Sequence, residues 1–102
     1  MSGPEYFVRL LKAAEEDFTD ILDYVAEDRP SAADLLAARI EEALSHLSAN
    51  PKLGRVPREE YLTRMNYRYI IVEDYLVFYK IEGRTVLIHR ILHGTRDYLG
   101  LF

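Results

Sequence analysis

The stretch YRYIIVEDYLVFYKIEGRTVLIHRIL, Tyr67 to Leu92, decides the fold. Its β-branched and aromatic residues read as three strands in quick order. The first is Tyr67 to Val72, and Glu73-Asp74 makes a tight turn after it. Tyr75 to Ile81 alternates and is rich in aromatics, Glu82-Gly83-Arg84 is a hairpin turn, and Thr85 to Leu92 closes the meander. Strict alternation puts Val86, Ile88, Arg90 and Leu92 on one face of the last strand, with Leu87, His89 and Ile91 on the other. Arg90 therefore falls among apolar neighbours.

Working back from the meander, Pro51 to Arg64 contains two prolines and Gly54 and reads as a long loop carrying Lys52, Arg55, Arg58 and Arg64. Long ordered loops in compact domains are often functional. Before it, Ser31 to Ala49 is a helix with Leu36, Ile40, Leu44 and Leu47 on one face and several alanines for close packing, ended by Asn50-Pro51. Ala13 to Glu27 is another helix. Phe18, Ile21, Leu22 and Val25 recur at its period, Glu15, Glu16 and Asp17 crowd its first turn, and Arg29-Pro30 stops it. Tyr6 to Leu11 supplies a short first strand. The order β-α-α-β-β-β predicts an α+β fold, a helical hairpin packed on a small antiparallel sheet, in a single domain spanning residues 1–102.

Hydrophobic residues form 49% of the chain and charged residues 29%, the balance of a globular domain rather than a disordered one. There is no cysteine, which excludes disulfides, thiolate metal sites and a cysteine nucleophile and suits a reducing cytosol. Met1 to Pro4 has neither a basic nor an apolar run, so no secretory signal is read there. Charges interrupt every apolar stretch, so no membrane association and a cytoplasmic location are expected. Residues 1–50 carry four basic and eleven acidic groups, a balance of −7; residues 51–102 carry nine and six, a balance of +3. Such asymmetry points either to an anion-facing surface in the second half or to a helical half solvated by carboxylates.

Three runs carry a family resemblance: Tyr67 to Val72, Asp74 to Tyr79, and Val86 to Tyr98, the last ending in His93-Gly94-Thr95-Arg96-Asp97-Tyr98. Together with the acidic first helix and the Asn50-Pro51-Lys52-Leu53-Gly54-Arg55 closure, they make the chain resemble the RelE/ParE toxin superfamily over its whole length. The resemblance implies a type II toxin–antitoxin system and a cognate antitoxin, with which the toxin would form a hetero-oligomer. It leaves two activities open: inhibition of DNA gyrase without nuclease chemistry in ParE-like members, and cleavage of mRNA on the ribosome in RelE-like members. Fold does not choose between them.

Metal-free RNA cleavage needs a base, an acid and cations on the phosphate. Arg64, Arg68, His93, Arg96 and Tyr98 are the candidates, with Arg90 as a further arginine. His93 suits acid or base work near neutral pH, Arg64 and Arg96 suit a phosphate clamp, and Tyr98 suits stacking or orientation. Glu59 or Glu60 offers a carboxylate base. No metal or cofactor is expected. Structural readings stand beside these. Arg68 and Arg90 can pair with the acidic helices, Arg96-Asp97 can be a local ion pair, and Tyr67, Tyr69, Tyr75 and Tyr79 suit sheet packing. A ribosomal nuclease gains from many phosphate contacts, whereas this chain is acidic overall, with Lys12 the only lysine before Lys52. That balance favours the ParE-like activity. The apolar tail Leu99 to Phe102 is expected either to contact a partner or to fold back on its own sheet.

Overall fold

The computed structural model describes residues 5–102. The elements are β1 (Phe7–Leu10), α1 (Lys12–Asp28), α2 (Pro30–Ala49), α3 (Glu60–Arg64), β2 (Arg68–Val72), β3 (Tyr75–Glu82) and β4 (Thr85–His93). The α+β plan and its element order are those expected from the sequence. Two parts differ. The Pro51 to Arg64 loop contains a 3-10 turn at Pro51–Leu53 and the five-residue helix α3. The sheet is mixed rather than antiparallel: its order is β1-β4-β3-β2, and β1 runs parallel to β4. The reason is topological. The helical hairpin returns the chain to the far edge of the sheet, and the meander then brings β4 back beside β1 in the same direction.

Local chemistry sets each boundary. Pro30 occupies the first turn of α2, where its missing N–H costs nothing, and the Arg29 carbonyl accepts from Ala32 and Ala33. The two hairpins close with two-residue loops whose first residue has a positive φ, Glu73 at 54° and Gly83 at 61°. Glycine enters that region without strain, and Glu73 does so at a cost.

The sheet separates two apolar clusters. Leu36, Ile40, Leu44 and Leu47 of α2 meet Val77, Tyr79, Val86, Ile88 and Ile91 on the helical side, with Phe18, Ile21, Leu22 and Val25 of α1 half-buried against them. Leu62, Tyr67, Phe78 and Leu92 form a smaller cluster on the other face, closed by Tyr98, Leu101 and Phe102. The tail thus folds back on its own sheet.

Strict alternation fails in β4. Phe78 pairs with Arg90 but Tyr79 pairs with Ile88, so His89 is an extra residue in a bulge. Past the bulge the faces exchange: Ile91 joins Val86 and Ile88 under the helices, while Leu92 goes to the second cluster. β3 itself keeps strict alternation: Val77 and Tyr79 face the helices and Phe78 the second cluster, and all three are buried because both faces of the sheet are covered.

Candidate functional site

β1 accompanies β4 only as far as Leu10 opposite Ile88, and the Leu11 N–H makes the last bond to the Ile88 carbonyl. Beyond that point β4 runs on to His93 with α1, not a strand, beside its edge. Asp17 of α1 takes over the edge. Its Oδ2 accepts from the Ile91 N–H at 2.9 Å and from Arg90 Nε at 2.7 Å, and its Oδ1 accepts from Arg90 at 2.8 Å. This bidentate clamp raises the Arg90 pKa further, chiefly through the hydrogen bond to Asp17. Arg90 is therefore a structural cation, as its apolar strand neighbours had allowed. Sequence reasoning placed Asp17 only among the carboxylates at the start of the first helix and did not match it to Arg90, although an arginine among apolar residues is a signal that a carboxylate must reach it.

Above the clamp, α1 and the end of β4 enclose a groove of about 350 Å³ lined by Asp20, Ile21, Tyr24, Tyr75, His93 and Arg96, among others. His93 closes β4. Its Nδ1 lies 2.7 Å from the Thr95 hydroxyl and accepts from the Thr95 N–H at 3.2 Å, and its ring stands edge-on to Tyr75, 5.4 Å between centroids. With Nδ1 serving as acceptor, the neutral ring carries its proton on Nε2. Arg96 follows one turn later, its N–H bonded to the His93 carbonyl and its side chain on the groove rim.

The remaining candidates stand elsewhere. Tyr98 packs on Phe78 of the second face, 5.0 Å between centroids, and its hydroxyl donates to Glu59 Oε2 at 3.0 Å. Burial first, and then the Glu59 carboxylate, raise its pKa. Arg64 ends α3, largely exposed, with Glu60 one turn back at 4.0 Å. Arg68 does not pair with a helix: its guanidinium donates to the Gly54 carbonyl at 3.0 Å. The candidates thus sort into His93 with Arg96, Tyr98 with Glu59, and Arg64 with Glu60, while Arg68 and Arg90 are spent on the fold. No ion pair joins Arg96 to Asp97 among the described residues.

Sequence reasoning also passed over two internal polar contacts. Tyr79, fully buried, donates to the Pro51 carbonyl at 2.7 Å and accepts from the Gly54 N–H at 2.9 Å, which fixes the loop after α2. The Tyr67 hydroxyl lies 3.1 Å from His89 Nδ1, with the rings edge-on at 5.0 Å. Burial, then the nearby Lys80 charge, hold the His89 pKa below the usual histidine value, and its Nε2 is buried without a partner. Neither contact had a sequence signal, because each depends on the bulge and on loop placement. Among the described residues no cluster of metal-ligating side chains occurs, and no helix is long and apolar enough to cross a membrane.

The helical hairpin on a mixed four-stranded sheet is a fold this chain shares with solved toxins of the RelE/ParE superfamily. The toxin–antitoxin complex RelBE2 of Mycobacterium tuberculosis contains a chain that superposes with a TM-score of 0.61 at 27% identity, over 87% of this chain and 98% of that one. A chain of the chromosomal ParDE toxin–antitoxin system of P. aeruginosa shares the fold at a TM-score of 0.73 and 20% identity, over 89% and 98% of the two chains. Toxin RelE2 of Caulobacter vibrioides is 31% identical over 80 residues, 78% of this chain and 85% of that toxin. The family described as ParE toxin of type II toxin–antitoxin system, parDE, matches residues 8–98, and the chain belongs to that family.

Proposed function

We propose that this toxin arrests growth by binding a protein target, DNA gyrase, rather than by cutting RNA, and that a cognate antitoxin holds it inactive in a hetero-oligomer. The division of the nuclease candidates, His93 and Arg96 in the α1–β4 groove and Tyr98 with Glu59 on the second face, supports this reading most. General acid–base cleavage needs base, acid and phosphate cations around one reacting phosphate. Here Tyr98 is tied to Glu59 on the second face, Arg68 is tied to Gly54, and only His93 and Arg96 share a groove. Two side chains beside an aromatic wall suit protein recognition better than phosphoryl transfer. The acidic net charge of −4 points the same way.

The competing reading, a ribosome-dependent endoribonuclease, draws on the likeness to Toxin RelE2 and on the pairing of a histidine with an arginine in one groove. Purified protein added to a gyrase supercoiling reaction separates the two. Inhibition, together with filamentous cells and intact transcripts on expression, is the expected result. Transcript cleavage at codon boundaries with unimpaired supercoiling would replace this reading by the competing one. On either reading His93→Ala and Arg96→Ala relieve the growth arrest, and retained toxicity in both removes the groove from the account.

A further inference from the structure

We propose that the groove between α1 and the end of β4 seats a single basic side chain, arginine or lysine, from an extended segment of the antitoxin. The identity of that partner rests on the toxin–antitoxin reading above; the chemistry of the groove does not.

The groove walls are aromatic and apolar. Tyr24, Tyr75 and His93 contribute rings and Ile21 an aliphatic side, and Tyr24 is 75% exposed although it is large and partly apolar. Ring faces around an open slot favour a cation over a neutral polar group. The molecule already uses that pairing internally, with Lys80 Nζ 4.5 Å from the centroid of Tyr67 and the Arg84 guanidinium 5.5 Å from that of Tyr6. The rim formed by α1 is acidic. Asp17 is saturated by Arg90 and Ile91, but Asp20, one turn on, is exposed and makes no ion pair among the described residues. Asp23, Glu27 and Asp28 continue the exposed carboxylates to the end of the helix, where Arg29 is the only base. A segment lying along α1 therefore meets negative charge outside the groove and aromatic rings within it.

The opposite rim limits the occupant. Arg96 stands there and repels any incoming cation, which confines a single base to the Asp20 and Tyr24 side of the groove and leaves no room for a run of them. The strand edge suits an extended backbone. The Ile91 N–H is already spent on Asp17, but by the period of two the His93 N–H also turns away from β3 and faces outward past the end of the clamp, where an extended backbone can meet it. A base seated here would bring its own chain across His93 and Arg96. Neutralisation then follows from covering the two residues that the target needs.

The probe is N-acetyl-L-arginine amide, titrated into the isotope-labelled full chain by NMR, with N-acetyl-L-norleucine amide as the uncharged control. Arginine amide is expected to shift the amides of Ile21, Tyr24, Ile91 and His93 along one saturating curve, at lower concentration than norleucine amide. Asp20→Asn should weaken that binding about threefold to fivefold, the range of an exposed ion pair. Asp34→Asn, which removes an exposed carboxylate on α2, should leave it unchanged. Equal binding of norleucine amide, indifference to Asp20→Asn, or shifts confined to other surfaces would overturn the proposal. Because growth arrest does not enter the titration, a chain that fails to inhibit gyrase can still pass this test, and one that inhibits gyrase can fail it.

Discussion

Replacing Asp17 by alanine leaves the Arg90 guanidinium half-buried without a counter-ion and the Ile91 N–H without an acceptor. Breaking such a pair from one side costs about 3 kcal/mol, more than the pair is worth against an apolar substitute. Urea denaturation should show that loss in Asp17→Ala. The double variant Asp17→Leu with Arg90→Met should recover only part of it, since Ile91 stays unbonded; full recovery would mean that the edge cap contributes nothing. His89 makes a second residue-level case. Its pKa is lower folded than unfolded, so below the unfolded value of about 6.5 the unfolded chain binds the extra proton. Stability from this group is therefore complete above that pH and declines as pH falls toward the lower, folded pKa. Wild type should lose more stability between pH 7.5 and pH 5 than His89→Phe, with urea midpoints as the readout. Parallel slopes in the two proteins would show that His89 is not the titrating group.

Among the elements, the connection from α2 to β2 depends most on one close approach. A Cβ at Gly54 would meet the Tyr79 hydroxyl and lie 2.7 Å from its ring and 2.9 Å from the Tyr69 carbonyl oxygen. Gly54→Ala should therefore push the loop off Tyr79, at about 2–3 kcal/mol from overpacking and lost hydrogen bonds. Tyr79→Phe removes the same two bonds directly, so the two losses should not add in a double-mutant cycle. Additive losses would show that the contact is not shared. Elements were also where the sequence was most readable. The stripe Leu36, Ile40, Leu44, Leu47 is buried as its period required, and both hairpin turns fall where Glu73-Asp74 and Gly83 placed them. The faces of β4 were legible only up to His89, because a bulge is a decision of packing between strands and leaves no mark in one strand's alternation. The direction of β1 was hidden likewise, since four residues carry no pattern that separates parallel from antiparallel pairing. In the site, the pairing of His93 with Arg96 follows from their place at one strand end. The packing of Tyr98 on Phe78 of the other face does not, because the tail folds back there within a few residues.

At the scale of the whole molecule, the two apolar clusters share one sheet but differ in how they are built. The helical side joins the two ends of the chain: β1 pairs with β4 across most of the sequence, and α1 is clamped to β4 at Asp17. Contacts of such long range form late and together, because the loop must close before they contribute. The second side is smaller: Leu62 of α3, Tyr67 and the tail meet over Phe78 and Leu92, and its cover, Tyr98, Leu101 and Phe102, is only half-buried. The molecule should therefore open in two steps seen by native-state hydrogen exchange. Amides of Val77, Tyr79, Val86 and Ile88 should exchange only through global unfolding, with a steep dependence on denaturant. Those of Leu62, Leu101 and Phe102 should exchange through a smaller opening that denaturant barely affects. Phe102→Ala should speed the second set, because Phe102 packs on both Tyr67 and Phe78, and leave the first nearly unchanged. A single exchange free energy across both sets would show that the tail is part of one cooperative core. The groove lined by His93 and Arg96 would then owe its shape to the tail as much as to α1.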